Sequence, residues 1–276
     1  MARRVTLRLS LAAACVVAAA LLALLVVAIV PAEKTGAGRA STTSPAANRA
    51  AVPILMYHAI RTAPADARLP SLFVRPKEFA AEVRGLRRAG YNAVTLQQVW
   101  DAWHHGAALP RKPIVFSFDD GYASQVSIAL PVLRRAGWVG VLNLALDWVD
   151  DIGGEAAVRR LIDAGWEIDS HTRTHPDLTR VSAQQLADET AGARAEITRR
   201  FGVPANFFCY PSGRYDARVV AVVRKAGYLA ATTVKRGFAT PANPFTLARV
   251  QVDGGMGAAA LIKRLSTLRK RYPRLS

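Results

Sequence analysis

Cysteine is nearly absent: the 276-residue chain has two, Cys15 and Cys209, and the first lies inside a long apolar run. No disulfide can form within the folded part even in an oxidising compartment, so stability has to come from packing. Acid is scarce as well. Twenty Asp and Glu stand against 37 Lys and Arg, a formal charge of +17, and 30 of those cations are arginine. Histidine is limited to five, at positions 58, 104, 105, 171 and 175. No glycine-rich G-x-G-x-x-G turn follows the first apolar strand, which argues against a dinucleotide-binding sheet.

What is present begins with Leu9 to Val30, 22 residues without a charge. As a helix rising about 1.5 Å per residue, that run spans the roughly 30 Å hydrocarbon layer of a bilayer. A secretory signal has a shorter apolar core, about 7 to 15 residues, ending at small residues. An uncleaved transmembrane anchor over 9–30 is therefore the expectation, and a removed signal is the alternative. Arg3, Arg4 and Arg8 precede the run, which keeps residues 1–8 in the cytoplasm and exports the remainder. The expected location is the cell membrane, single-pass, with an extracytoplasmic domain; cleavage would make the protein secreted.

Residues 31–50, "PAEKTGAGRASTTSPAANRA", lack an apolar period and read as a linker. The folded domain is expected over 51–276, closing on a basic helix in "LIKRLSTLRKRYPRLS" that could touch an anionic surface. Outside the cytoplasm the positive field favours anionic envelope polymers or lipid headgroups, and neither nucleic acid nor an obligate protein partner is expected.

Within the domain a unit recurs: "LRRAGYNAVTL", "LRRAGWVGVLNL", "LIDAGWEIDSH" and "VRKAGYLAATT". Each is a charged helix end, an Ala-Gly stop, an aromatic and an apolar strand covered on both faces. Strands are expected near 52–57, 91–96, 113–118, 139–146, 166–170, 206–210, 228–233 and 247–252, with helices in most gaps. The best-marked helix starts at Ser182, where Gln185 completes a capping box, and runs to about Arg200. The fold class is α/β, an irregular (β/α)7–8 barrel preceded by one transmembrane helix and a flexible tether.

Chemistry in such barrels sits where strands end. Four strand ends carry polar residues: His58 after "PILMY", Asp119 and Asp120 after "IVFSF", His171 and His175 in "IDSHTRTH", and "CYPSG" after "NFF". Two imidazoles and one aspartate make a facial metal triad with open positions for water and substrate. The other aspartate is then free to take a proton from bound water. Adjacent residues of a regular strand face opposite ways, so both acids reach one site only if the chain turns there, and Gly121 permits that turn. His104 and His105, in "DAWHHGAALP", read as surface residues.

"SFDD", "HTRTH" and "FFCYPSG", in this order, resemble the first three motifs of the polysaccharide deacetylases with a NodB-like domain, carbohydrate esterase family 4, over about 52–252. "VPILMYHAI" with "FAAEVRGLRRAGYNAVTL" further resembles the branch acting on poly-N-acetylglucosamine. The resemblance implies that Asp120, His171 and His175 hold a divalent metal, most commonly zinc, and that Asp119 is the general base. It also implies that the Ser212 backbone N–H contacts the oxyanion. Three departures stand out. Cys209 occupies the place of the arginine that orients the base, no histidine follows His175, and the only Asp-Trp pair, Asp147-Trp148, falls too early.

His58 is the available general acid, the alternative being that it hydrogen-bonds within the mouth while water or the metal site supplies the proton. Tyr122, Trp148 and Tyr210 are the candidate sugar contacts. The function expected is a metal-dependent hydrolase releasing acetate from N-acetylhexosamine units of an extracellular or cell-wall polysaccharide. The alternatives are an O-acetyl esterase on xylan or peptidoglycan and a catalytically silent sugar-binding module.

Overall fold

The computed structural model describes residues 49–272. The expected cytoplasmic N-terminus (1–8), membrane segment (9–30), most of the linker and residues 273–276 lie outside the described residues. Among the described residues no helix is long and apolar enough to cross a membrane.

Strand and helix alternate along the chain. β1 (Ile54–Tyr57) is followed by α1 (Pro76–Arg88), β2 (Asn92–Ala93) by α2 (Leu96–His104), and β3 (Pro113–Asp120) by α3 (Leu130–Arg135). β4 (Val141–Leu144) leads to α4 (Val149–Ile152) and α5 (Gly154–Asp163), and β5 (Glu167–Ser170) to α6 (Ala183–Ala187) and α7 (Ala193–Phe201). β6 (Phe207–Cys209), α8 (Ala217–Lys225), β7 (Ala230–Arg236), β8 (Leu247–Gln251) and α9 (Gly257–Arg269) complete the order. The strands are parallel, and the ladder runs β1-β3-β4-β5-β6-β7-β8 and back from β8 to β1.

The ring therefore has seven strands. β2 occupies an expected strand position but pairs only Asn92 with Pro113 and Ala93 with Ile114, at the start of β3. From Val115 onward that edge of β3 belongs to β1, where Ile54 pairs with Val115 and Tyr57 with Phe118. Each Ala-Gly stop behaves as its sequence demands, with Gly90, Gly137, Gly165 and Gly227 at φ between 72° and 86° just past a helix end. Ser182 caps α6 and Gln185 reaches back to it, as expected. The run to Phe201 is interrupted by a π-helical turn at Asp188–Gly192, which separates α6 from α7.

Along β3 the side chains divide by parity. Phe116 and Phe118 pack on the helix side with Tyr57 and Phe79, while Ser117 and Asp119 face the barrel interior, where both contact Arg249. α1 buries Phe79, Val83 and Leu86 on one stripe, and Glu82 lies in that stripe too. Its Oε2 accepts from the Tyr57 hydroxyl at 3.0 Å, and its Oε1 has no partner among the described residues.

Burial lifts the Glu82 carboxyl from its ordinary 4.5 to about 7, against the smaller opposing effect of the Tyr57 hydrogen bond. A carboxyl raised in the fold binds its proton more tightly than in the unfolded chain. Its stabilisation is complete below the unfolded pKa and is lost as pH rises through about 7. The swing is on the order of 3 kcal/mol. Urea unfolding of Glu82→Gln at pH 5 and pH 8 should show a smaller loss of stability between the two pH values than the unsubstituted protein shows; equal losses would contradict this assignment.

Candidate active site

The mouth of the barrel is built from strand ends. A regular β3 would return Asp120 to the side of Phe118, but Asp120 adopts φ 81° and Gly121 φ 121°, so the chain turns at the second acid. The expected turn therefore begins one residue before the glycine, on an aspartate, a residue type that visits the left-handed region more readily than most. β5 ends into His171, and the loop beyond it holds Thr172 at φ 72° and His175 at φ 58°. The Thr172 hydroxyl accepts from the His175 N–H at 2.9 Å.

These two turns bring Asp120 Oδ1 to 3.5 Å from His171 Nε2 and 3.7 Å from His175 Nε2. Both separations exceed hydrogen-bond contact, yet both suit two donors that each bind one cation at about 2.0–2.2 Å. The imidazole tautomer supports the same reading. His171 Nδ1 lies 2.8 Å from the Cys209 carbonyl, which can only accept, so Nδ1 carries the proton and the Nε2 lone pair faces Asp120. The donor set Asp120, His171 and His175 thus fits a divalent metal. Such an ion lowers the pKa of a bound water and polarises a substrate carbonyl.

Asp119 is held separately and from several sides. Arg249 Nη1 and Nη2 donate to its Oδ1 and Oδ2, each at 2.7 Å, and Asn143 Nδ2 donates to Oδ1 at 2.7 Å. Burial pushes this carboxyl up, but the Arg249 guanidinium outweighs it and holds Asp119 well below the usual carboxylate range. The group is ionised at any neutral pH, as a proton acceptor must be. His58 Nε2 stands 3.8 Å from Asp119 Oδ2. Burial holds His58 below the ordinary imidazole value although Asp119 and Asp120 pull it up, so as an acid it must first gain a proton in the reaction cycle.

The other expected site residues separate. Tyr122 and Trp148 line an open cavity of about 430 Å³ with Asp120, Arg61 and Asp151, and the Trp148 ring stacks on His175 at 5.1 Å. Ser212 lies in the turn after β6 at φ 53°, and the N–H groups that close that turn belong to Gly213 and Arg214. Tyr210 does not reach the cavity wall. It is fully buried among Phe208, Tyr215 and Tyr228-side packing, and its hydroxyl donates to the Phe245 carbonyl at 3.1 Å. His104 stacks on Trp100 and His105 contacts Asp101 on the surface, as expected. A hollow of about 600 Å³ along α8 shares no residue with the site and gathers no imidazole.

Three residues of the site were not singled out by sequence. Arg249, on β8, replaces the guanidinium that Cys209 does not provide, and it is fixed further by Nε donation to the Thr233 carbonyl at 2.9 Å. Its only signal was a charge inside the apolar strand "LARVQ". Gln125 is fully buried in a π-helical turn (Gln125–Ala129), and its Nε2 donates to the Asp119 carbonyl at 2.7 Å and the His58 carbonyl at 3.2 Å, tying β3 to β1. Glu189, in the second π-helical turn, accepts from the N–H of Arg173 and Thr174 at 2.8 and 2.9 Å and from the Thr174 hydroxyl at 2.6 Å. It braces the loop between the two histidines.

With that geometry in place, comparison with known proteins gives one answer. Residues 106–231 match the polysaccharide deacetylase family model. A Bacillus subtilis protein described as "Putative polysaccharide deacetylase YxkH" is 29% identical over 217 residues, 76% of this chain and 75% of that protein. The poly-beta-1,6-N-acetyl-D-glucosamine N-deacetylase of Escherichia coli K12 is 24% identical over 264 residues, 79% of this chain but 39% of that larger protein. Among solved structures, a polysaccharide deacetylase from Bacillus cereus (BC0361) superposes with a TM-score of 0.70 at 27% identity, covering 79% of this chain and 69% of that one. Fold and site together define a carbohydrate deacetylase, a hydrolase. Residues 106–231 carry a polysaccharide deacetylase domain of the NodB type, carbohydrate esterase family 4.

Arg249→Lys keeps a positive charge and loses the two-pronged grip on Asp119. Acetate-release kinetics should show kcat lower by about 100-fold with KM little changed, and the acid limb of the pH profile should move to higher pH because Asp119 is no longer held low. Glu189→Gln should weaken divalent-metal affinity by about 10- to 100-fold in a chelator competition, since the loop carrying His175 loses its brace; unchanged affinity would remove Glu189 from this role.

Proposed function

We propose that this chain is a metal-dependent de-N-acetylase acting on N-acetylhexosamine units of an extracellular or cell-wall polysaccharide, with zinc as the metal. The observation that carries the reading is the juxtaposition of two differently held acids. Asp120 shares one point with two imidazoles, while its neighbour Asp119 stands within 4.8 Å of His171, ionised and locked to Arg249.

In this reading Asp119 takes the proton of the attacking water as oxygen bonds to the acetamide carbon, and passes that proton to His58, whose Nε2 stands 3.8 Å from Asp119 Oδ2. The Ser212 N–H supports the oxyanion of the tetrahedral intermediate. The C–N bond then breaks, His58 delivers a proton to the departing amine, and acetate leaves a free amino sugar. Tyr122 and Trp148, on the cavity wall, contact the sugar ring. Similarity to the E. coli poly-N-acetylglucosamine deacetylase favours a hexosamine polymer over an O-acetylated one. The uncharged run at 9–30 supports a location at the membrane with the domain outside the cytoplasm.

Acetate release by the purified full-length chain from N-acetylated glucosamine oligomers, compared with O-acetylated xylan, tests the reading. Activity is expected on the N-acetylated substrate and is abolished by a chelator. Asp119→Asn is expected to retain the metal and lose turnover by about 1,000-fold or more. Preferred cleavage of xylan esters would replace the proposal with an O-acetyl esterase, and stoichiometric metal without turnover on either substrate would replace it with a binding module.

A further inference from the structure

A group of the barrel's cations lies at the end away from the mouth. In a parallel (β/α) barrel the helices run back from the strand ends, so each helix terminates where the next strand begins. α1 ends at Arg87 and Arg88 three residues before β2, and α3 ends at Arg134 and Arg135 five residues before β4. Arg111 and Lys112 directly precede β3. All six side chains are exposed, and none of the six forms an ion pair among the described residues.

The segments that carry these six are neighbours. Lys112 Nζ donates to the Ala89 carbonyl at 2.7 Å, joining the start of β3 to the end of α1, and α1 packs against α3. The end of α9 adds to the arc. Tyr272 stacks on Phe238 at 5.3 Å, and the next residue, Ala239, pairs with Val52 just before β1. Exposed Lys270 and Arg271 therefore stand beside the point where the chain enters the barrel. Residues 84–90, 111–113, 134–137 and 270–272 contain no acid. Cations at helix C-termini also complement the helix dipole, as Arg160 does in the last turn of α5, but that role needs no clustering across four segments.

We infer that this basic arc rests on anionic phospholipid headgroups and points the catalytic mouth away from the bilayer. The occupant is set by the chain itself. The entry to β1 lies beside the arc, and residues 31–50 separate it from the 22-residue uncharged run, so a chain anchored by that run holds this face within reach of a bilayer. Exposed cations near an anionic surface are attracted within a Debye length, and the attraction is lost as salt rises. The inference uses the anchor reading of 9–30 for orientation and is independent of which sugar the enzyme cleaves.

The test uses the full chain in lipid nanodiscs of phosphatidylcholine alone or with added phosphatidylglycerol, carrying a protease site inserted within 31–48. After cleavage at low ionic strength, at least tenfold more of the released domain should co-elute with the anionic discs than with the neutral ones, and about 0.5 M salt should release it. The variant Arg87→Gln, Arg88→Gln, Arg134→Gln, Arg135→Gln should leave both kinds of disc, with deacetylase activity on a soluble oligosaccharide unchanged. Release from anionic discs as complete as from neutral ones overturns the inference, as does retention of the variant. Capture by soluble polyphosphate without retention on anionic discs would assign the arc to an anionic polymer instead. Should the apolar run fail to anchor the chain, intact chain bound to anionic discs alone still supports the lipid contact, and binding to neither overturns it.

Discussion

A guanidinium and a carboxylate meet in the interior of this barrel, and the site depends on their grip. Arg249 and Asp119 are both almost wholly removed from water, on β8 and β3, with β1 between them. Bringing two charges into such a place costs several kcal/mol per ion, and only close geometry and full hydrogen bonding offset it. Both conditions hold. The fork of Arg249 matches both carboxylate oxygens, Nε finds Thr233, Ser117 accepts from Nη1 while donating to Leu55, and Asn143 supplies Asp119 with a further donor. The result is an acid with one orientation and one charge state, the two properties a proton acceptor beside a metal requires.

A division of the strands' side chains between a polar layer near the mouth and apolar packing elsewhere explains how the described residues, without a disulfide, carry so many buried polar groups. Aromatic residues on the outer side of β1 and β3 pack against α1, so hydrophobic burial is concentrated between barrel and helices. Inside the ring, Ile54, Val115, Val141, Phe207 and Leu247 form a second apolar cluster near the strand starts, and hydrogen-bonded groups take the layer nearer the mouth. Two π-helical turns extend this scheme to the rim. Each re-aims one side chain, Gln125 or Glu189, onto the main chain of a loop that carries site residues. π-Turns are recurrent near functional sites because an extra residue per turn shifts a side chain off the regular helical face.

Much of this was legible in the chain. The four Ala-Gly stops located the strands that follow them and apolar runs located the other four, since helix ends and strand burial leave local marks. His171 and His175, four residues apart after β5, and the two acids after β3 were legible as one cluster because strand ends in such a barrel converge on one face. Arg249 was not legible. One arginine among 30, inside a strand, carries no local sign of the carboxylate it meets 130 residues earlier in the chain. Tyr210 misled for the complementary reason: an aromatic at a strand end can face the mouth or the wall, and sequence parity fails where a strand runs into a turn.

The sequence by itself determined the alternation of strands and helices, the candidate ligands and the charge of the whole, because each is written in nearest neighbours and short periods. Tertiary structure decided the rest. Closure at seven strands depends on β1 displacing β2 from β3, the split of duties between Asp119 and Asp120 depends on a left-handed turn at the second, and the base's partner comes from the far end of the chain. Those outcomes are contacts between segments distant in sequence, selected by which buried charges can be satisfied together, and no local pattern contains them.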